Sequence, residues 1–260
     1  MKLRLYTKSH DESLLKKLNQ NRRFTAEEHE YVMKKEHEKS GFLETKESLL
    51  SAYFREDYYK YLAVGFLVQR IYQKNYKNII SLGAGTCVPE YLLKCALPED
   101  SKVVAADFDP FLIKNARRVF PSIIPIVFNF CNDRLDRLKK LKIDFDLAVF
   151  FGSAYVMNDP EFVRLFAGLK KLGIKEIIDF HAGYIPTSEI PKLILMKFGT
   201  YVLDKLELLG YRGKFHGYRR TRGELRRLYR EAGLSLVQEL SIPPYKYVAI
   251  CAAARHQFPS

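Results

Sequence analysis

The feature that most limits the fold of this chain is a short apolar run, residues 78–82, that ends in the turn Gly83-Ala84-Gly85. A helical pattern starts directly after the turn, and a strand, a tight glycine turn and a helix in this order are typical of nucleotide-binding α/β folds. A second apolar run ends in Asp107, about 20 residues after the turn, which is the spacing at which a carboxylate meets a ribose. The pattern predicts a site for a cofactor that contains a nucleoside.

Further apolar runs indicate a mostly parallel sheet. They occupy residues 78–82, 103–107, 124–130, 145–151 and 176–180. Runs such as 145–151 do not alternate polar and apolar residues, which is the pattern of strands buried on both faces. Helical patterns at 87–96, 110–119 and 160–171 would cover both faces of the sheet. We therefore predict an α/β fold with a doubly wound, mostly parallel sheet.

The remaining segments add helices before this sheet and an antiparallel strand pair after it. Residues 1–57 are polar with helical periodicity and predict an N-terminal helical cap, followed by a Rossmann-like domain at 58–260. Residues 184–218 are irregular and are interpreted as an insertion on the ligand side of that domain. Residues 234–242 and 247–253 predict the two final strands, separated by Pro243-Pro244.

The composition excludes several classes of protein. With 260 residues, 47% of them hydrophobic, the chain has enough apolar side chains for a sizeable core. No run approaches the ~18 consecutive apolar residues of a membrane span, and the first residues lack the apolar segment of a signal peptide, so we expect a cytoplasmic protein. The cysteines at 87, 95, 131 and 251 lack the close pairs of a zinc site, so we predict no metal centre.

The glycine pattern separates two kinds of cofactor. A dinucleotide-binding turn needs a third glycine for close packing of its helix against its strand, and this sequence has Val88 at that position. The turn therefore disfavours a nicotinamide or flavin dinucleotide, and NAD is our second choice of cofactor.

Two segments, Ser81 to Thr86 and Val104 to Pro110, resemble motifs I and II of class I S-adenosylmethionine-dependent methyltransferases. The order of elements over residues 58–253 is similar too, including a helix and a glycine at 220–234 before the last strands. The motifs are short, so they identify the superfamily and no subfamily. The resemblance implies a methyltransferase that uses S-adenosylmethionine.

The resemblance also assigns cofactor contacts to particular residues. It implies that the backbone of Gly83, Ala84 and Gly85 lies against the methionine and ribose, and that Asp107 accepts hydrogen bonds from the ribose hydroxyls. Further cofactor contacts are predicted at Ser81, Phe108, Asn132 and Asp133. The sequence departs from the family where Ser81 replaces an acid and Cys87 replaces a third glycine. An Asx turn is an equally good interpretation of Asn132 and Asp133.

We expect the reaction to take place at the edge of the sheet where the fourth and fifth predicted strands end. Open α/β sheets bind ligands at the carboxyl ends of their strands, so Gly152, Ser153 and Tyr155 are predicted to line the site, the first two as cofactor contacts. His181 follows the fifth strand. It is the best-placed general base if the molecule that receives the methyl group, the acceptor, must lose a proton. A buried structural or capping histidine is the other interpretation of His181. Further catalytic candidates are Tyr155, Asp179 and His216.

A basic segment leaves the nature of the acceptor open. The net charge is +13, and arginines are concentrated at residues 212–230. A small anionic molecule would need two or three of these arginines around one pocket, RNA would need a broad positive surface, and a solvated helix face would need no partner. Our hypothesis is a methyltransferase that acts on a small molecule. An anionic molecule would be compatible with the basic segment. We expect the cap and the insertion to close over the bound molecule. The alternatives are an RNA methyltransferase and a non-catalytic nucleoside-binding module.

Overall fold

The computed structural model of the protein describes residues 2–7, 12–57, 60–195 and 214–252. Parts of the predicted segments lie outside these ranges. They are residues 1 and 8–11 of the cap, residues 58 and 59 at the domain boundary, residues 196–213 of the insertion, and residues 253–260 at the C-terminus. Within the described ranges, no helix is both long enough and apolar enough to cross a membrane.

The helices precede the central sheet or connect its strands. They are α1 (Glu12–Leu15), α2 (Ala26–Ser40), α3 (Lys46–Asp57), α4 (Lys60–Lys74), α5 (Val88–Cys95), α6 (Pro110–Val119), α7 (Asp136–Lys139), α8 (Asp159–Lys171) and α9 (Arg222–Glu231). Short 3-10 helices occur at Ala154–Val156 and Thr187–Glu189, and residues 190–195 are helical.

The strands form two separate sheets. They are β1 (Lys2–Thr7), β2 (Asn78–Leu82), β3 (Lys102–Asp107), β4 (Ile124–Val127), β5 (Leu147–Phe151), β6 (Glu176–Phe180), β7 (Tyr184–Ile185), β8 (Lys214–Thr221), β9 (Ser235–Ile242) and β10 (Tyr245–Ala252). The larger sheet has the order β4-β3-β2-β5-β6-β10-β9, and the smaller has the order β1-β8-β7.

The larger sheet confirms the predicted fold class. Strands β2 to β6 pair in parallel, and β10 pairs antiparallel with both β6 and β9. The strand order reverses between β2 and β5, because β3 and β4 continue on one side and β6 on the other. Ligands of open α/β sheets bind at such a reversal, beyond the carboxyl ends of the strands.

Two apolar clusters cover the two faces of this sheet. Ile79 and Ile80 are neighbours in β2 and both are fully buried, yet Ile79 belongs to the cluster with α4, α5 and α6, and Ile80 to the cluster with α8 and α9. Successive side chains of a strand point to opposite faces, so a strand covered on both faces is apolar at most positions. This burial explains why the runs in the sequence do not alternate.

The smaller sheet corrects two expectations from the sequence. Residues 2–7, predicted as part of a helical cap, form β1, and residues 214–218, predicted as irregular, belong to β8. The two strands pair antiparallel, with Lys2 opposite Arg220. Local periodicity did not reveal this pairing because each strand is short and its partner lies more than 200 residues away in the chain. The division into a cap at 1–57 and a domain at 58–260 remains a prediction.

Candidate functional site

The carboxyl ends of β2, β3 and β5 meet around one cavity. Gly83, Asp107 and Gly152, which end or follow these strands, line a cavity of about 260 Å³ that we call the Gly83 cavity. Its other lining residues are Arg23, Phe24, His29, Phe108, Asn129, Phe130, Cys131, Asn132, Phe151, Ser153, Tyr155, Val156 and His216. The cavity therefore lies at the strand reversal, where the sheet topology places a ligand site.

At Gly83 the neighbouring loop leaves no room for a side chain. Its φ is +78°, and a Cβ built on it would lie 2.4 Å from Ser153 Cβ and 2.8 Å from Ser153 Oγ. The Ser153 hydroxyl donates a hydrogen bond to the backbone carbonyl of Leu82, which keeps the two loops together. A glycine is thus required both by the backbone conformation and by the close approach of the neighbouring loop.

The carboxylate of Asp107 organises the turn after β2. Its Oδ2 accepts a hydrogen bond from the Gly85 backbone N–H at 2.8 Å, and its Oδ1 accepts one from the Asp109 N–H at 3.0 Å. Burial raises the pKa of Asp107, and these two backbone donors act in the opposite direction. Each carboxylate oxygen has a second lone pair, so Asp107 can still accept a hydrogen bond from a ligand hydroxyl.

Residues just before and within α2 form a wall of the Gly83 cavity that the sequence did not reveal. Arg23 holds this wall in place, since it binds both carboxylate oxygens of Glu161, at 2.9 and 2.5 Å, and the Val156 carbonyl at 2.8 Å. The Nδ1 atom of His29 lies 2.6 Å from Asp109 Oδ2, and its ring centre lies 4.9 Å from that of Phe108. Because these contacts join segments distant in the chain, no local motif marks them.

The structure places the predicted cofactor residues in two groups. Those that line the Gly83 cavity are Gly83, Asp107, Phe108, Asn132, Gly152 and Ser153. Those that lie outside its lining are Ser81, Ala84, Gly85 and Asp133. Ala84 and Gly85 still shape the turn, whereas Asp133 Oδ2 accepts a hydrogen bond from the Asn129 N–H and pairs with Arg137. The cofactor roles of all these residues remain predictions.

Ser81 has a buried partner that the sequence did not indicate. Its hydroxyl donates a hydrogen bond to Glu90 Oε1 at 2.6 Å, and Glu90, on α5, is fully buried. Burial raises the pKa of Glu90 from its ordinary value of 4.5 to about 7. The acid that motif I usually carries on the strand is absent at Ser81, but a carboxyl group from the following helix lies beside that position.

A second cavity adjoins the first. It has a volume of about 460 Å³, and we call it the His181 cavity. It shares Phe151, Gly152 and Tyr155 with the Gly83 cavity. Its other lining residues are Lys60, His181, Ala182, Tyr184, Arg219, Pro244, Tyr245 and Lys246. A molecule in either cavity would therefore lie against the carboxyl end of β5.

His181 is held by a buried acid. Its Nδ1 lies 2.9 Å from Asp179 Oδ2, and the same oxygen accepts a hydrogen bond from the Tyr229 hydroxyl at 2.7 Å. Burial raises the pKa of Tyr229 well above its ordinary value, so its hydroxyl remains a donor. In a neutral imidazole beside an acceptor carboxylate, Nδ1 is the nitrogen that carries the proton and Nε2 is the one with the lone pair. Among the described residues, Nε2 has no hydrogen-bond partner.

Tyr155 is fixed between two glycines. A Cβ on Gly183 would lie 2.7 Å from Tyr155 Cβ, and a Cβ on Gly217 would lie 2.6 Å from the Tyr155 carbonyl oxygen. Burial raises the pKa of Tyr155, so its phenol stays protonated at neutral pH. Tyr155 can therefore position a ligand or donate a hydrogen bond to it, and it is unsuited to act as a base. His216, whose ring centre lies 5.3 Å from that of Tyr155, lines the Gly83 cavity.

Several arginines of the basic segment form ion pairs with acidic residues, and these arginines do not converge on one pocket. Arg222 and Arg226 both bind Glu239, Arg227 binds Glu231 and Asp159, and Arg220 is buried against Asp159. Within the described part of the segment, Arg219 is the arginine that lines the His181 cavity. Arg212 lies outside the described residues. The RNA hypothesis and the non-catalytic hypothesis remain untested predictions.

Comparison with solved structures shows which known fold this architecture resembles. Human N-acetylserotonin methyltransferase in complex with S-adenosylmethionine has a TM-score of 0.50 and 15% identity, over 68% of this chain and 47% of its own. The S-adenosylmethionine-dependent methyltransferase SibL, in its apo form, has a TM-score of 0.53 and 14% identity, over 75% of this chain and 55% of its own. The chain thus matches about half the length of these structures. No protein-family model matches the sequence, and no curated protein sequence matches it.

Proposed function

Because the chain has the fold of class I S-adenosylmethionine-dependent methyltransferases, we propose that it transfers a methyl group from S-adenosylmethionine to a small molecule. The observation that carries the proposal is the meeting of two cavities at the end of β5. One is lined by Gly83 and Asp107, the other by His181. A cofactor in the first cavity and an acceptor in the second would be neighbours.

The residues of the Gly83 cavity fit this cofactor. Gly83 lines the cavity without a side chain of its own, so the cofactor could approach its backbone, and Asp107 would accept hydrogen bonds from the ribose hydroxyls. Phe24, His29 and Phe108 present aromatic rings to the same cavity, which suits a flat heterocycle such as adenine. When bound, S-adenosylmethionine supplies a methyl group on a sulfonium, which is already activated toward nucleophiles.

The residues of the chain would align the acceptor and remove its proton. Phe151, Gly152 and Tyr155 form the boundary between the cavities and would hold the acceptor next to the cofactor. His181 Nε2 would accept the proton of an acceptor hydroxyl, since Asp179 fixes the ring with its other nitrogen as a donor. Tyr229 would hold Asp179 in place through its hydroxyl.

Two properties of the His181 cavity support a small, negatively charged acceptor. Its volume of about 460 Å³ lies within the ~300–1,000 Å³ that is typical of small-molecule sites. Three cations, Lys60, Arg219 and Lys246, line it and could bind an anionic group.

Equilibrium binding of labelled S-adenosylmethionine, with NAD as competitor, tests this proposal. We expect S-adenosylmethionine to bind with one molecule per chain and NAD to leave that binding unchanged. Val88 is fully buried where a dinucleotide-binding turn has its third glycine, so the helix cannot pack against its strand as closely as that turn requires. Displacement of the label by NAD, or no binding of the label, would contradict the proposed cofactor.

A further inference from the structure

We propose that the acceptor is an aromatic hydroxy acid whose carboxylate binds between Arg219 and Lys246. This inference rests on the function proposed above and adds the chemical class of the acceptor. It is carried by the charge, the ring lining and the geometry of the His181 cavity.

The charged side chains that line the His181 cavity are lysines and an arginine. Lys60, Arg219 and Lys246 line it, and no aspartate or glutamate of the described ranges does. Cations gathered in a concave site attract an anion, and one carboxylate outside the lining, that of Glu189, pairs with two of the three. The three cations come from α4, β8 and β10, so the fold brings them together from distant parts of the sequence.

A carboxylate of the chain already spans two of these cations. Glu189 Oε2 lies 3.0 Å from Arg219 Nη2, and Glu189 Oε1 lies 2.9 Å from Lys246 Nζ. The two cations are therefore spaced to bind the two oxygens of one carboxylate. Glu189 itself does not line the cavity, and its contacts with Arg219 and Lys246 are partly exposed. An acceptor carboxylate inside the cavity could share or replace these contacts at little cost.

The rings of the cavity favour an aromatic body for the acceptor. Tyr184 is stacked on Tyr247 with ring centres 5.0 Å apart, and Phe151 is stacked on Phe180 at 5.4 Å. These stacks fix the orientation of Tyr184 and Phe151, which both line the cavity together with Tyr155 and Tyr245. Rigid aromatic walls bind flat rings by stacking and edge contacts.

The position of His181 indicates that the acceptor carries a hydroxyl group. Its Nε2 is buried and has no partner among the described residues, while Nδ1 is bonded to Asp179. A phenolic hydroxyl of the acceptor would give its proton to Nε2 as its oxygen bonds to the methyl carbon and the carbon–sulfur bond of the donor breaks. The product would be an aryl methyl ether, and S-adenosylhomocysteine would leave.

Calorimetric titration with matched pairs of compounds tests the inference. We would titrate 3-hydroxybenzoate and 4-hydroxybenzoate, and the corresponding hydroxybenzamides, which keep the ring and hydroxyl but lack the charge. At least one acid should bind about tenfold or more tightly than its amide, because a charge-assisted contact to arginine or lysine is lost in the amide. Equal binding of every acid and its amide, or no binding of any acid, would overturn the inference.

Variants locate the anion within the cavity. Arg219→Gln and Lys246→Gln should each weaken binding of the acid severalfold and leave binding of the amide unchanged. The matched control is Arg222→Gln, since Arg222 is three residues from Arg219 but pairs with Glu239 and does not line the cavity. Equal effects of Arg219→Gln and Arg222→Gln would contradict a carboxylate site at Arg219.

Titration with S-adenosylmethionine in the same samples separates this inference from the proposed function. If S-adenosylmethionine binds and the acids do not, the class of acceptor is wrong and the proposed cofactor stands. If the acids bind in an Arg219-dependent manner and S-adenosylmethionine does not, the anion site stands and the methyltransferase function is wrong.

Discussion

His181 and Asp179 form a buried pair in which Nδ1 of the imidazole lies 2.9 Å from a carboxylate oxygen. Both side chains are at most 1% exposed, so the pair forms away from water. Nε2 has no partner in the described part of the chain, and burial of an unpaired nitrogen has a desolvation cost that a ligand bonded to it would remove. The pair is therefore the part of the site with the most specific chemical role.

The first prediction concerns this pair. His181→Gln should lower the rate of methyl transfer by about 100-fold or more, which is the usual contribution of a general base. The affinity for S-adenosylmethionine should stay within about twofold of the parent, because His181 lines the His181 cavity and not the Gly83 cavity. Single-turnover kinetics and a separate binding titration measure the two quantities.

A milder variant serves as the comparison for His181→Gln. Tyr229→Phe removes one hydrogen bond to Asp179 without removing the imidazole, so it should lower the rate by about tenfold or less. A rate for His181→Gln close to that of the parent, or a loss of cofactor affinity that accounts for its whole effect, would exclude His181 as the base.

The second prediction compares two glycines of the turn. Gly83→Ala should weaken S-adenosylmethionine binding by more than about tenfold and lower the melting temperature, because its Cβ would overlap Ser153. In Gly85→Ala the new Cβ would have no heavy atom within 4 Å. This variant therefore has only the backbone strain of φ +56°, which costs about 1–2 kcal/mol. Thermal unfolding and binding titrations of both variants provide the test. Equal losses of affinity would show that close approach at Ser153 is not the cause.

The third prediction concerns the buried carboxyl group of Glu90. Burial raises its pKa from 4.5 to about 7. Between pH 4.5 and about 7, the folded protein therefore keeps a proton on Glu90 that the unfolded chain has already released. Stability therefore falls as pH rises from about 4.5 to about 7, by on the order of 3 kcal/mol for this group alone. Glu90→Gln keeps a side chain that can bind Ser81 and removes this dependence.

Urea unfolding across this pH range measures the effect of Glu90. The difference in unfolding free energy between Glu90→Gln and the parent should increase toward pH 7. Glu99→Gln, at an exposed position, should give a curve parallel to that of the parent. Parallel curves for the parent and Glu90→Gln would show that Glu90 titrates as an ordinary exposed glutamate.

Much of the central sheet could be predicted from the sequence because its information is local. Residues 78–82 and 176–180 are strands with the predicted bounds, since burial on both faces makes most residues of a strand apolar. The turn at Gly83 and the acid at Asp107 are fixed by spacing within a single β-α-β unit. In the structure both residues line the Gly83 cavity at the strand reversal.

The remainder of the site depends on contacts between segments far apart in the sequence. Arg23 lies at the Gly83 cavity and is bound there by Glu161, and Arg219 lies at the His181 cavity, where β8 pairs with β7 beside Tyr184. The basic segment gave a misleading impression of free charge because Glu239, on β9, neutralises two of its arginines. Periodicity and motif spacing contain no information about such partners.

Calorimetric titration of the parent protein with S-adenosylmethionine tests the central claim most directly, alongside Asp107→Asn and the exposed control Asp136→Asn. Both oxygens of Asp107 accept backbone hydrogen bonds, and an asparagine can accept only one of them, so the turn and its ligand contact should both be weakened. We predict binding of one molecule per chain by the parent and by Asp136→Asn, and an affinity at least about tenfold lower for Asp107→Asn. No heat of binding with the folded parent protein would contradict the assignment of the Gly83 cavity to S-adenosylmethionine.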